Sequence, residues 1–451
     1  MQHHALQEIH HLAAFVAKFP KLFDEVKSRP GFEEIERRIV ASIGNTDTVS
    51  DGLRAYEAAQ SLIPNWKFVF ASASGPLPGL SINRNFSDGS AVRSLFPTER
   101  VLVLDKETHS SMLAHRDAIF PIDYSIALDT QALSYLAPFL EGATKGLPDD
   151  FREVFEFIAR DDVNVDPLPY MLENIPNAKD ECNHFEIRRR LEAYEILRTI
   201  DAQQLQESGE VRSTLTPEER RENVKARFAE MLEIGSDSKK LAASMRDQTL
   251  SYCALLKMAS IQLRKPSSSA YQSKISEFVE FMDKELKTML AREAIIAASL
   301  FERGQSKFKF FGKIQKKNDH NLKELRAMAW DFAHIRHIES VATRIEWSHR
   351  DDGQQARYFF PALLTCDKRY IEVLDLYPLK CYAYKDGMSR PMPFPAVDWL
   401  QAIAGDESAQ NSFIGEYYSN EAVKRRDLER HVGGLEELKA KLEIELLSAA
   451  S

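Results

Sequence analysis

Cysteine is scarce: Cys182, Cys253, Cys366 and Cys381 lie far apart, and no two form a Cys-x-x-Cys pair. That spacing argues against a disulfide framework or a structural zinc site and suits a reducing, cytoplasmic setting. Long hydrophobic runs are missing too, so no segment reads as a membrane span. Residues 1–20 mix apolar and histidine side chains without the basic start and long apolar core of a signal peptide. Gly75 and Gly79 fall in the stretch 72–85, which has no Gly-Lys-Ser/Thr ending and reads as a loop rather than a phosphate cradle. Positive charge is not in excess either. A formal net charge of −9 argues against a protein that coats nucleic acid through a uniformly basic surface. It leaves room for a nuclease, because clustered carboxylates add to that count and divalent ions bound to them reverse the sign locally.

What is present is an ordinary globular composition, 44% hydrophobic and 28% charged, over 451 residues. One hydrophobic core rarely serves such a length, so two or three structural units are expected. Region 1–65 reads as helices: His11, Phe15, Phe19 and Phe23 recur at intervals of four, and further helices are predicted over 32–43 and from Asp51. The pairs His3-His4 and His10-His11 can be read as metal ligands or, more simply, as a solvent-facing arm.

The stretch that organises the chain is 124–136. Tyr124-Ser125-Ile126-Ala127-Leu128 is too short and too apolar for an amphipathic helix and reads as a buried strand. From there Leu133, Leu136 and Leu140 recur at helical spacing. Asp129 therefore sits at the carboxyl end of a strand, where open α/β sheets bind ligands. It can equally be a helix cap with no other role. Residues 358–368 repeat the design, an apolar strand ending in Thr365-Cys366-Asp367-Lys368. Between the two, residues 169–174 and 329–336 place Glu173 and Asp331 within mostly apolar helical stretches. Glu173 is either a solvated helix residue or, with Tyr170, Met171, Leu172 and Ile175 around it, a partly buried acid that needs a partner or an ion. Val101-Leu102-Val103-Leu104-Asp105 is another strand with an acidic tip, which either extends the sheet or imitates the Asp129 element. Asp129 is preferred because the residues after Asp105 begin no clear apolar helix.

Leu128-Asp129-Thr130, an acid on a helix some forty positions on, an Asp inside a later helix, and Thr365-Cys366-Asp367 after a last strand together resemble the PIN-domain nucleases. The resemblance covers roughly residues 120–180 and 325–385. It departs from a compact PIN domain in one respect, since residues 180–325 intervene where the family has a short connection. It implies an α/β fold with a three-layer α/β/α core around a mostly parallel sheet. The expected units are a helical region 1–65, core parts 66–180 and 326–405, a helical insertion 181–325 and a helical tail 406–451. It also implies a metal-dependent endonuclease, with RNA ahead of DNA as substrate. Asp129, Glu173, Asp331 and Asp367 would be catalytic and hold Mg2+ or Mn2+, oxygen donors being what such ions prefer. Asp129 and Asp367 would bind directly, Glu173 and Asp331 directly or through water. Thr130, Thr365 and His334 would position a water, a phosphate or a ligand carboxylate, although a histidine on such a helix face is more often a satisfied core residue.

Elsewhere, helices are expected over 185–205, 218–234, 241–263 and 273–301, with Thr216 capping and Pro217 in the first turn of the second. They could form an antiparallel bundle that projects from the core and binds a regulatory protein or a second copy. Lys307, Lys309, Lys313, Lys316 and Lys317 interleave with Phe308, Phe310 and Phe311. That composition suits phosphate contacts with base stacking, or a loop whose phenylalanines plug the core while its lysines stay solvated. A last strand is expected at 379–384, then a loop, then helix over 419–448 interrupted at Gly433-Gly434. There Leu435, Leu438, Leu442 and Leu446 form a seam for a partner subunit. Two other functional readings stand beside the endonuclease: a catalytically silent PIN-like core in a partner-binding or signalling protein, and a toxin-like or phage-defence effector held off by a partner.

Overall fold

Alternation of apolar residues along the strands decides the architecture. The computed structural model describes residues 2–27, 29, 31–73, 83–115, 122–343, 357–430 and 434–451. Among them the strands are β1 (Trp66–Ser72), β2 (Arg84–Asn85), β3 (Ala91–Ser94), β4 (Arg100–Leu104), β5 (Ile122–Leu128), β6 (Val165–Asp166), β7 (Tyr358–Thr365), β8 (Leu379–Lys385) and β9 (Met392–Pro395). One sheet has the order β4-β1-β8-β9 and is antiparallel throughout. The other has the order β2-β3-β7-β5-β6, with β5 parallel to both β6 and β7 and the β3 edge antiparallel. The chain is thus an α/β protein with abundant helix. The expectation of one mostly parallel sheet is corrected, because β2 and β3 are joined too closely to pair other than as a hairpin. β8, expected to finish that sheet, pairs with β1 in the other, and β9 lies where a loop was expected.

The mixed sheet is buried on both faces. Ile126 and Leu128 point into a core built with the helices Thr130–Leu140, Phe151–Ile158, His184–Arg198 and Pro217–Ser236, whereas Ala127 points the other way. Leu364 and Leu363 of β7 divide in the same manner, as the twofold period of a strand requires. In the antiparallel sheet Phe68 and Phe70 pack on the N-terminal helices Phe32–Gly44 and Val49–Ala59, and Val69 faces the opposite side. That opposite side is shared. The helices Ser238–Arg264, Tyr271–Lys284, Ala291–Arg303, Asn321–Val341 and Leu435–Ala450 form one large core that takes side chains from both sheets.

Residues 181–325 are therefore helical as expected, but they are not a projecting bundle. Every residue from Ser251 to Leu263 is buried, and a helix buried all round belongs to an interior. The helix expected over 273–301 is broken at 285–290, where Lys287 adopts a φ of 55°. The N–H groups of Leu286 and Thr288 bond back to the carbonyls of Phe281 and Met282, and Leu286 and Leu290 turn into the core. No Gly or Pro marks that break in the sequence. Thr216 does cap its helix, in a reciprocal pair with Glu219. The seam Leu435, Leu438, Leu442 and Leu446 packs within this chain, mainly on Ser238–Arg264, rather than on a second subunit. Glu445 pairs there with Lys257 at 3.0 Å, and Glu443 accepts from the Tyr252 hydroxyl at 2.9 Å.

Several expectations fall outside what is described: the loop 74–82, the chain at 431–433, and the side chains of His3, His4 and His10. His11 is exposed. Among the described residues no helix is long and apolar enough to cross a membrane.

Candidate active site

Register brings two of the four acids together. β5 and β7 run parallel with Leu128 opposite Leu364, so Asp129 follows one strand tip beside Thr365 at the other. Parallel neighbours end at one edge of a sheet, and the turn of the backbone there opens a crevice. Asp129 caps the Thr130–Leu140 helix, its Oδ1 accepting the Ala132 N–H at 2.6 Å. Asp367 likewise caps Lys368–Leu374, accepting the Arg369 N–H at 2.8 Å. β6 ends at the same edge and leads into Leu168–Asn174, which carries Glu173. Asp331 comes from the middle of Asn321–Val341, which packs against β7.

All four carboxylates line one pocket of about 280 Å³, together with Thr130, Gln131, Trp330, His334, Thr365, Arg369, Lys313 and Glu324. Burial pushes the Asp129 carboxyl up to about 7; the Ala132 N–H opposes this, and the charge of Glu173 adds to it. Asp331 lies well above the usual carboxylate range, from burial first and then from the charges of Asp129, Glu173 and Asp367. Glu173 is raised by burial, with the Thr130 hydroxyl, which donates to it at 2.5 Å, pulling down. Asp367 differs. Burial would raise it, but the Arg369 guanidinium, at 2.7 Å, and its backbone N–H outweigh that and hold it below the usual range. Thr365 is fully buried, and its hydroxyl oxygen accepts the Asp367 N–H at 3.1 Å.

His334 is 2% exposed, and neither ring nitrogen makes a hydrogen bond of good geometry. Its Nε2 is 3.8 Å from Glu173 Oε2. Burial, then the neighbouring His337, depresses its pKa to about 3 although the Pro169 carbonyl favours protonation, so the ring is neutral.

Among the described residues, no three His, Cys, Asp or Glu side chains are gathered closely enough to constitute a metal site as they stand. By donor chemistry alone, the pocket's residues are of the kind that could hold a divalent cation. Its donors are mainly oxygens, the set that Mg2+ and Mn2+ take. Three of its five carboxyls, Asp129, Glu173 and Asp331, are pushed upward, by burial first and for Asp129 and Asp331 also by neighbouring acids, and the buried His334 imidazole makes no hydrogen bond of good geometry. Like charges hold such groups apart until a cation lies between them.

The basic segment is resolved the bland way. Phe308, Phe310 and Phe311 are buried in the core, Phe310 also lining the pocket. Lys307, Lys309, Lys316 and Lys317 are exposed and do not line the pocket, and Lys313 does, paired with Glu324 at 2.9 Å. Asp105 lies elsewhere, bonded to Arg357, Tyr358 and the Thr108 N–H. A helix, Lys106–His115, does follow it, but it is largely polar, in keeping with the absence of an apolar helix signal there. Arg369, Trp330 and Gln131 were not legible as pocket residues; only the proximity of Arg369 to Asp367 in sequence hinted at one of them. Comparison of the chain with protein-family models, with curated proteins and with solved structures finds no match in any of the three.

Proposed function

We propose that this chain is a metal-dependent endonuclease with a PIN-like core, cutting phosphodiester bonds, of RNA ahead of DNA. The observation that carries the reading is the convergence of Asp129, Glu173, Asp331 and Asp367, scattered over the sequence, on one pocket at the strand tips. A bound divalent ion supplies Lewis acidity toward the phosphate and lowers the pKa of water. The chain supplies the rest. Asp129 and Asp331, whose carboxyls burial and neighbouring acids push upward, would be among the oxygen ligands that hold such an ion. Thr130 fixes the orientation of Glu173 by donating to it, and Thr365 accepts the Asp367 N–H. Arg369 and Lys313 are the cations that line the pocket, each paired with a carboxylate, Asp367 and Glu324.

A silent core is the second reading, favoured by one observation: Asp367 is already neutralised by Arg369. One experiment separates the two. Purified protein is incubated with labelled single-stranded RNA, single-stranded DNA and duplex DNA in Mg2+ or Mn2+, beside Asp331→Asn. The nuclease reading expects wild type to cleave and the variant to lose at least about a hundredfold in rate, removal of a group acting on the reacting charge costing that much. Absence of cleavage with no divalent-dependent rise in melting temperature supports the silent core.

A further inference from the structure

A buried polar group without a partner costs free energy, and His334 bears that cost inside a pocket of acids. The ring sits on an interior helix, tilted at 33° to Trp330 with centroids 6.2 Å apart, so it is not free to swing out to solvent. Its Nε2 lies 3.8 Å from Glu173 Oε2. Two donors that share an ion at about 2.1 Å each are about 3.0 Å apart at a right angle and about 4.2 Å apart when opposite. The observed spacing lies between these limits. The Thr130 hydroxyl holds that same Glu173 oxygen in place.

We propose that His334 is a direct nitrogen ligand of a divalent ion that it shares with Glu173, so that the pocket takes a first-row transition dication in preference to Mg2+. The inference rests on the reading of this pocket as a carboxylate metal site and deepens it. Imidazole strengthens binding of transition dications and does little for Mg2+, which prefers oxygen. A donor set of carboxylates plus one imidazole is therefore selective where carboxylates alone are not.

The test uses the full chain, stripped with chelator and loaded with Mn2+ alone. Electron spin-echo modulation of the bound Mn2+ is expected to show directly coordinated 14N, changing to the 15N pattern when histidine is 15N-labelled. His334→Leu is expected to lose the coupling and to hold Mn2+ about tenfold more weakly, with Mg2+ affinity changed less than about threefold by calorimetry. Mn2+ bound without histidine nitrogen in the wild type, or with the coupling kept in His334→Leu, overturns the ligand role and leaves the carboxylate site standing. Failure of the wild type to bind either ion overturns both. His337→Gln, expected to keep the coupling, separates the two neighbouring imidazoles where His334→Leu does not fold; loss of the coupling in it overturns the assignment to His334.

Discussion

Asp105 after β4 and Asp129 after β5 stand in the same local design, an apolar strand, an aspartate and a helix, yet their surroundings are opposite. Asp105 meets Arg357, the Tyr358 hydroxyl and the Thr108 N–H, and these outweigh burial and keep its carboxyl below the usual range. Asp129 meets Glu173, Asp331 and Asp367, and its carboxyl is raised. Both accept the N–H three residues ahead. Capping is therefore common to both, and what differs is supplied from residues far away in sequence. A carboxylate whose charge is matched adds to the fold, and one left among other acids marks where the proposed site lies.

Substitution breaks the comparison in opposite directions. Asp105→Asn keeps the cap but removes the carboxylate that Arg357 and the Tyr358 hydroxyl share, and an expected loss of about 2–3 kcal/mol is read by denaturant unfolding. Asp129→Asn also keeps a capping oxygen. It removes a charge the fold resists, so without divalent ions at pH 7 it is expected to stabilise by about 1–2 kcal/mol while abolishing the divalent-dependent thermal shift. The pH dependence follows the same line. Asp129 binds its proton more tightly folded than unfolded, so its contribution favours folding below about pH 4 and is lost as pH rises through its folded value of about 7. Melting without ions is expected to fall across that interval, and Mg2+ or Mn2+ to restore stability mainly at its upper end. Asp105, with its lowered value, works the other way, adding stability above about pH 4 and losing it as pH falls. The smallest effect is expected from Thr130→Val, which deletes the hydroxyl held by Glu173 and costs about 1 kcal/mol, with a weaker divalent affinity by calorimetry as the companion readout.

The strand tips were legible because period and length identify β5 and β7 without tertiary help, and each ends in a residue that both caps and points into the crevice. Thr216-Pro217 was legible for the same local reason. The sheet assignment of β8 and the interior course of Ser238–Arg264 were not, because pairing partners and burial on all sides depend on distant chain. Asp105 and Asp129 differ by Arg357, which no window around either acid contains. The orientation of Phe308, Phe310 and Phe311 was equally hidden: alternation of Lys and Phe is the same text whether the rings turn outward or in.

The pairing of Leu128 with Leu364 also has a history in time. A chain leaves the ribosome at roughly 5–20 residues per second, so β5 exists for many seconds before β7 can be made. During that interval its inner edge is an apolar template with open backbone donors and acceptors, the kind of surface that recruits stray strands. The pocket cannot assemble until the same late segment arrives. Nascent chains are thus inert at this site and, at the same moment, at their most sticky, which makes the synthesis of residues 129–357 the period when a chaperone has the most to protect.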